Sequence, residues 1–292
     1  MAAKINGQDA KFIVDSGTFF SSVSTGMTRA LDLRVTGSRV YRFQLSDRRI
    51  ERDRQSTNIK LVEFAGIQAK NLDFLVADNA LDGTGLLGND LLSNFDIEYD
   101  LDHASIVLIK TTGCLHANLA YWRDKQQSSS VMDFLYASDR SVSGTLVNDA
   151  APSQLIEALM YVNGMRFRAV LDSGVFQSVF SLRGAGRAGV HPGSSGVVQA
   201  GPITGVGVGV EKSYVGTFDS VKLGENEELN AVRMRFADLD LGDADLLLGA
   251  DFFLSHHILV SRAVHKIYFT QYPGEVFNIA DAEPQLAVGA QP

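Results

Sequence analysis

Short apolar runs separated by turn residues recur along the whole chain, and long stretches with apolar residues at helical spacing are scarce. That pattern predicts a mainly β protein with many short strands. The first clear unit is a hairpin. Asn6-Gly7 is a strong turn dipeptide between two strand-like runs, and the second run, Phe12-Ile13-Val14, ends on Asp15-Ser16-Gly17. An apolar strand that carries a carboxylate inward onto a tight turn is unusual. The chain does it twice: Asn163-Gly164 introduces Ala169-Val170-Leu171, which ends on Asp172-Ser173-Gly174.

The two hairpins belong to a longer repeat. Ile5 to Ser24 matches Val162 to Ser181 at a constant offset of 157 residues, as Asp172 stands to Asp15. Farther on, Gly85 to Leu108 matches Leu246 to Phe269 at an offset of 161, as Gly249 stands to Gly88. Solenoid repeats run about 20–50 residues, so a unit this long reads as a duplicated domain. The chain therefore divides into an N-terminal lobe at 1–112, a linker at 113–159, a C-terminal lobe at 160–271 and a tail at 272–292 that is expected to fray.

Composition narrows the function. The 292 residues have room for two domains, and 45% hydrophobic with 21% charged residues is a globular balance. No apolar stretch approaches the roughly 18 residues a spanning helix needs, so no membrane insertion is expected. A formal net charge of -8 argues against general nucleic-acid affinity. The lone Cys114 permits neither an internal disulfide nor a cysteine metal cluster. The N-terminus reads as strand rather than signal peptide, which leaves the compartment open.

Together these residues resemble the pepsin and retropepsin class of aspartic proteases, and most closely bacterial tandem retropepsin-like proteins. The resemblance rests on Ile13-Val14-Asp15-Ser16-Gly17 with Leu86-Leu87-Gly88, and on Val170-Leu171-Asp172-Ser173-Gly174 with Leu247-Leu248-Gly249. A single Asp-Ser-Gly is ordinarily a polar turn; two in register, each with its Leu-Leu-Gly, are far more specific. The resemblance implies two retropepsin-like β-barrel lobes in a pepsin-like bilobal arrangement, with Asp15 opposite Asp172. It implies an aspartic endopeptidase in which the two carboxylates share one proton and activate a water. Ser16 and Ser173 would bond across the lobe interface, Gly17 and Gly174 would let the backbone pass beneath the carboxylates, and Gly88 and Gly249 would sit where a strand crosses behind each loop. Thr18 and Val175 stand where that class commonly has Ala or Ser. Two other readings stay open: a peptide- or protein-binding module on the same fold, and lobes that pair between chains. A monomer acting on a peptide or protein substrate is favoured, with a dimer as the alternative.

The segment between the two motifs of each lobe should hold a hairpin that closes over substrate. In the second lobe this is Gln199 to Tyr214, where Gly205, Gly207 and Gly209 alternate with valine and leave one strand face bare for a peptide backbone. In the first lobe it is the arginine-dense Ser38 to Gln55, read as a solvated hairpin or as a selector for acidic partners. Tyr41 and Tyr214 are candidates for an aromatic over the cleft. Gly184 to Gly189 fits the dinucleotide fingerprint, but its counterpart, Met27 to Asp32, has no glycine pattern and no βαβ unit surrounds it. Asp238 to Asp245 reads as a solvated acidic loop. The scattered histidines, His256 and His257 included, have no metalloprotease spacing, and no serine-hydrolase elbow is present. No metal and no cofactor is expected.

Overall fold

A computed structural model describes residues 1–45, 48–77, 83–110, 119–123, 129–136, 141–142, 151–152, 155–205, 208–210 and 212–277. In the first lobe the elements run β1 (Ala2–Ile5), β2 (Gln8–Val14), β3 (Ser22–Val23), α1 (Thr25–Ala30), β4 (Val35–Leu45), β5 (Arg48–Phe64), β6 (Ile67–Val76), β7 (Gly85–Leu87), α2 (Asn89–Leu92), β8 (Asp96–Asp100) and β9 (Ser105–Ile109). The middle of the chain adds β10 (Ser130–Tyr136), β11 (Ser141–Val142) and β12 (Ala151–Pro152). The second lobe repeats the pattern with β13 (Ile156–Val162), β14 (Met165–Leu171), β15 (Val179–Ser181), α3 (Leu182–Arg187), β16 (Val198–Ala200), β17 (Ile203–Gly205), β18 (Val208–Val210), β19 (Ser213–Leu223), β20 (Glu227–Ala237), β21 (Leu246–Leu248), α4 (Ala250–Leu254), β22 (His256–Ser261) and β23 (Lys266–Gln271).

Each lobe is a closed barrel. The first runs β1-β2-β7-β3-β6-β5 and closes by antiparallel pairing of β5 with β1; the second runs β13-β14-β21-β15-β20-β19 and closes through β19 and β13. Closure depends on the hairpin turns. Asn6 and Asn163 adopt positive φ (50 and 48°), each followed by a positive-φ glycine, as the tight twisted turn requires. Their side chains then bond the far strand: Asn6 Oδ1 accepts from the Leu61 amide at 3.1 Å, and Asn163 Oδ1 from the Ser220 amide at 3.1 Å. Alternation fills the barrels, as in β13, where Ile156, Ala158, Met160 and Val162 are buried in one core while Tyr161 is exposed.

A five-stranded sheet, β10-β23-β22-β8-β9, joins the lobes. Its seam is the antiparallel pair β8–β22, with Ile97 opposite Val260 and Tyr99 opposite Ile258. All six residues of β22 are buried. One face meets the apolar core that both lobes share, where Tyr99 packs edge-on against Phe253 at 4.9 Å. The other face is covered by residues 119–123: Ala120 packs with Leu259 and Tyr268, and Trp122 stacks on His257 at 4.0 Å.

Several features depart from the sequence expectation. The stretch read as linker, 113–159, contributes β10 to the joining sheet, and the second barrel's first strand begins at Ile156. The tail does not fray at Tyr272. Its hydroxyl donates to Asp100 at 2.6 Å, and Val276 and Phe277 are buried in the core. Asp245, assigned to a solvated loop, is buried: it accepts from Arg187 at 2.8 Å and from the Arg168 amide at 3.1 Å. Gly184 to Gly189 lies in α3 and its end, at the place α1 holds in the first lobe. Cys114 and residues 278–292 fall outside the described residues, and among those described no helix is long and apolar enough to cross a membrane.

Candidate active site

The strands β2 and β14 end at the centre of the molecule. Each pairs in parallel with a Leu-Leu strand, Val14 beside Leu87 and Leu171 beside Leu248. The pairing continues one residue into the loop: the Asp15 amide donates to Leu87 O at 3.0 Å, and the Asp172 amide to Leu248 O at 2.9 Å. Backbone ladders thus set the places of Asp15 and Asp172, and the two loops meet across the lobe interface.

The serines lock that meeting reciprocally. Ser16 Oγ donates to Leu171 O at 2.9 Å and accepts from the Ser173 amide at 3.0 Å. Ser173 Oγ donates to Val14 O at 2.8 Å and accepts from the Ser16 amide at 3.1 Å. A side chain on either following glycine would destroy the arrangement. A Cβ on Gly17 would lie 2.0 Å from Asp172 Cγ, and one on Gly174 would lie 2.4 Å from Asp15 Cγ. Each carboxyl therefore sits directly over the opposite lobe's glycine. Gly88 and Gly249 admit the loops from behind: a Cβ there would strike the backbone at Phe19 (2.6 Å) and Gln177 (2.6 Å).

The two carboxyls face each other across the lobe interface, each crowding the glycine that follows the other, close enough to share a proton. Burial raises the pKa of Asp15, and the amides of Gly17 and Thr18 and the bond from Asp172 offset part of that rise. Burial, followed by the negative charge of Asp15, pushes Asp172 up to about 8; the amides of Gly174 and Val175 oppose it. Two acids this close cannot both ionise cheaply, so the pair holds one proton over a wide pH range. Burial raises both members, so the shared proton belongs to the pair.

A second symmetric pair supports the loops and was not singled out from sequence. Ser21 Oγ donates to Asp90 at 2.6 Å and accepts from the Gly88 amide at 3.0 Å; Ser178 Oγ donates to Asp251 at 2.6 Å and accepts from the Gly249 amide at 2.9 Å. Burial raises both aspartates, and the serine bonds draw them back. The signal was available: an acid stands two residues after Leu-Leu-Gly in both lobes.

In the second lobe β17 and β18 form a two-stranded sheet separate from the barrel, with Thr204 opposite Gly209 and Gly205 opposite Val208; Gly207 lies outside the described residues. In the first lobe β4 and β5 form a long hairpin, with Arg39 opposite Arg54 and Leu45 opposite Arg48; the side chain of Tyr41 is outside the description. Tyr214 belongs to β19 and stacks on Phe236 at 5.5 Å in the barrel wall, so it is not an aromatic over the cleft. Phe176, four residues beyond Asp172, is 78% exposed. His256 and His257 point to opposite faces of β22, bonding Glu227 at 3.0 Å and Glu98 at 2.7 Å. Among the described residues no group of His, Cys, Asp and Glu is arranged to hold a metal ion.

Comparison with known proteins gives one family match per lobe. Residues 1–94 match the gag-polyprotein putative aspartyl protease family, and residues 158–252 match the aspartyl protease family. A crystal structure of a retropepsin-like aspartic protease from Rickettsia conorii is similar at 14% identity over 51% of this chain and 97% of that one, with a TM-score of 0.32. No curated protein matches.

Proposed function

We propose that this chain, which matches an aspartyl protease family in each lobe, is an endopeptidase whose catalytic pair is Asp15 and Asp172 of one molecule. The observation that carries the reading is the close facing of two carboxyls, one from each lobe, each lying over the opposite lobe's glycine. A structural acid pair would gain nothing from such mutual desolvation, whereas hydrolysis needs an ionised and a protonated carboxyl side by side.

In this reading an extended peptide lies beneath the two hairpins, with a water between the carboxyls. Ionised Asp15 takes a proton from the water as its oxygen bonds the scissile carbonyl carbon, and Asp172 gives its proton to the carbonyl oxygen. The resulting gem-diol collapses as the amide nitrogen takes the proton from Asp15 and the C–N bond breaks. A diol hydroxyl returns its proton to Asp172, restoring the starting state. Ser16 and Ser173 hold the loops in register, and Gly17 and Gly174 make room for the opposing carboxyls. Gly205 and Gly209, on the two strands of the β17–β18 hairpin, offer backbone for pairing with the peptide.

The test is peptide hydrolysis across a broad pH series. The monoprotonated pair is the competent form, so activity should span acid to neutral pH and fall as the pair loses its last proton near the value of about 8 carried by Asp172. Asp15→Asn and Asp172→Asn should each remove nearly all turnover, and the double variant should be hardly worse, because the acids act as a unit. A wild-type chain that binds a statine-type peptide but cleaves nothing at any pH would contradict the proposal and leave a binding module.

A further inference from the structure

We infer that Arg262, a residue of the second lobe, is a positioning residue for the first lobe's acidic loop: acting through Asn89, it fixes that loop and keeps Asp15 the ionised member of the pair. The inference rests on the reading of Asp15 and Asp172 as a proton-sharing pair.

Arg262 lies in the turn between β22 and β23, and the first lobe holds that turn. Asp96, the buried first residue of β8, accepts from the Arg262 amide at 2.7 Å, from the Ala263 amide at 3.2 Å and from Ser261 Oγ at 2.7 Å. With the turn pinned, the Arg262 guanidinium reaches back across the interface, where Nη2 donates to Asn89 Oδ1 at 2.6 Å. A guanidinium can only donate, so it dictates which way the amide of Asn89 faces. The Asn89 nitrogen is thereby turned onto the acidic loop, donating to Ser16 O at 2.7 Å and Thr18 O at 2.9 Å. Asn89 is fully buried, so neither end of its amide has water as a substitute.

The chain of bonds ends on the carboxylate. Ser16 C=O and Gly17 N–H belong to one peptide group, and Gly17 N–H donates to Asp15 Oδ1 at 2.9 Å. A cation at the far end polarises each link in turn, strengthening the last donor, and a stronger donor favours the charged acceptor. Other groups around this path are Asp96, Tyr99 and Asp172. The Tyr99 phenol is raised by burial, drawn back by Arg262 and raised again by Asp15, which places cation and carboxyl in the same neighbourhood.

The second lobe has no such relay. At the offset of 161, Ala250 stands for Asn89 and Leu101 is the counterpart of Arg262. Gly174 N–H still donates to Asp172 Oδ1 at 3.0 Å, but no side-chain amide at position 250 can back it. Two loops built alike are thus made unequal by one arginine, in the sense that leaves the proton on Asp172.

The experiment uses the full chain with Arg262→Met, Arg262→Lys and Asn89→Ala, read by carboxyl 13C NMR titration, with Asp15→Asn for assignment, and by the pH dependence of hydrolysis. Arg262→Met and Asn89→Ala should each raise the lower apparent pKa of the pair by roughly 0.5–1 unit and move the acid limb of the rate profile with it. They should also lower kcat about tenfold or more with a smaller change in KM. Arg262→Lys should recover part of the pKa, and the double variant should shift no further than Arg262→Met alone, because both act on one path. If Arg262→Met does not fold, Asn89→Ala and Arg262→Lys carry the same test. An unchanged lower pKa in the folded variants, even with lowered thermal stability, overturns the inference. The titration needs no turnover: variants that shift the pKa in a chain that never cleaves would refute the protease reading and keep the relay.

Discussion

Asp172 is the residue where folding and chemistry oppose each other. Its pKa in the folded protein, about 8, lies above the ordinary carboxylate value of 3.8. As pH rises the unfolded chain therefore loses this proton first, so the contribution of Asp172 to stability is greatest in acid and declines from about pH 4 to about pH 8. Asp172→Asn removes the titration while keeping a donor toward Asp15. The variant should gain thermal stability over the wild type progressively across that window, with little difference below it; melting curves at several pH values would check this, and a difference that does not grow with pH would contradict it. At this scale the sequence was legible where chemistry is local and repeated. Asp15, Ser16, Gly17 and their partners stand out through the in-register repeat and the resemblance it carries. Arg262 and Asn89 do not, because they are 173 residues apart and their counterparts in the other lobe, Leu101 and Ala250, carry different chemistry.

At the scale of elements, the hairpins, Asp-bearing strands and Leu-Leu-Gly strands could be read directly, since turn dipeptides and short apolar runs act over a few residues. Strand pairing across the chain could not. Nothing local says that β10 will pair with β23, that Asn6 will bond β5, or that Val276 and Phe277 will join the core. The β17–β18 hairpin gives a test at this scale. It is a two-stranded sheet separate from the barrel and is rich in glycine, so opening it breaks a short ladder and frees much backbone entropy. Amides between Ala200 and Gly209 should exchange rapidly in the free protein and become protected with a statine-type peptide, while the glycine-free β4–β5 hairpin tip changes less. Protection before ligand is added, or none at saturation, would deny this hairpin a role in holding substrate.

At the scale of the whole molecule, the lobes are halves of one structure rather than beads on a string. They share a core, a sheet and the serine lock between the loops. Residues 1–112 expressed alone would lose β22 from the edge of β8 and expose Tyr99 and Ile97, leaving an unpaired strand beside an apolar patch. That fragment should be inactive and poorly soluble; a soluble, active dimer of it would mean that lobes can pair between chains. The decisive measurement uses intact protein. Asp15→Asn and Asp172→Asn chains are purified separately, mixed in equal amounts and assayed for peptide hydrolysis beside the wild type. If both catalytic acids come from one molecule, the wild type cleaves while each variant and their mixture stay inactive at every protein concentration. Activity regained on mixing would show that the acids meet between chains, and would contradict the single-chain pair on which the proposed mechanism depends.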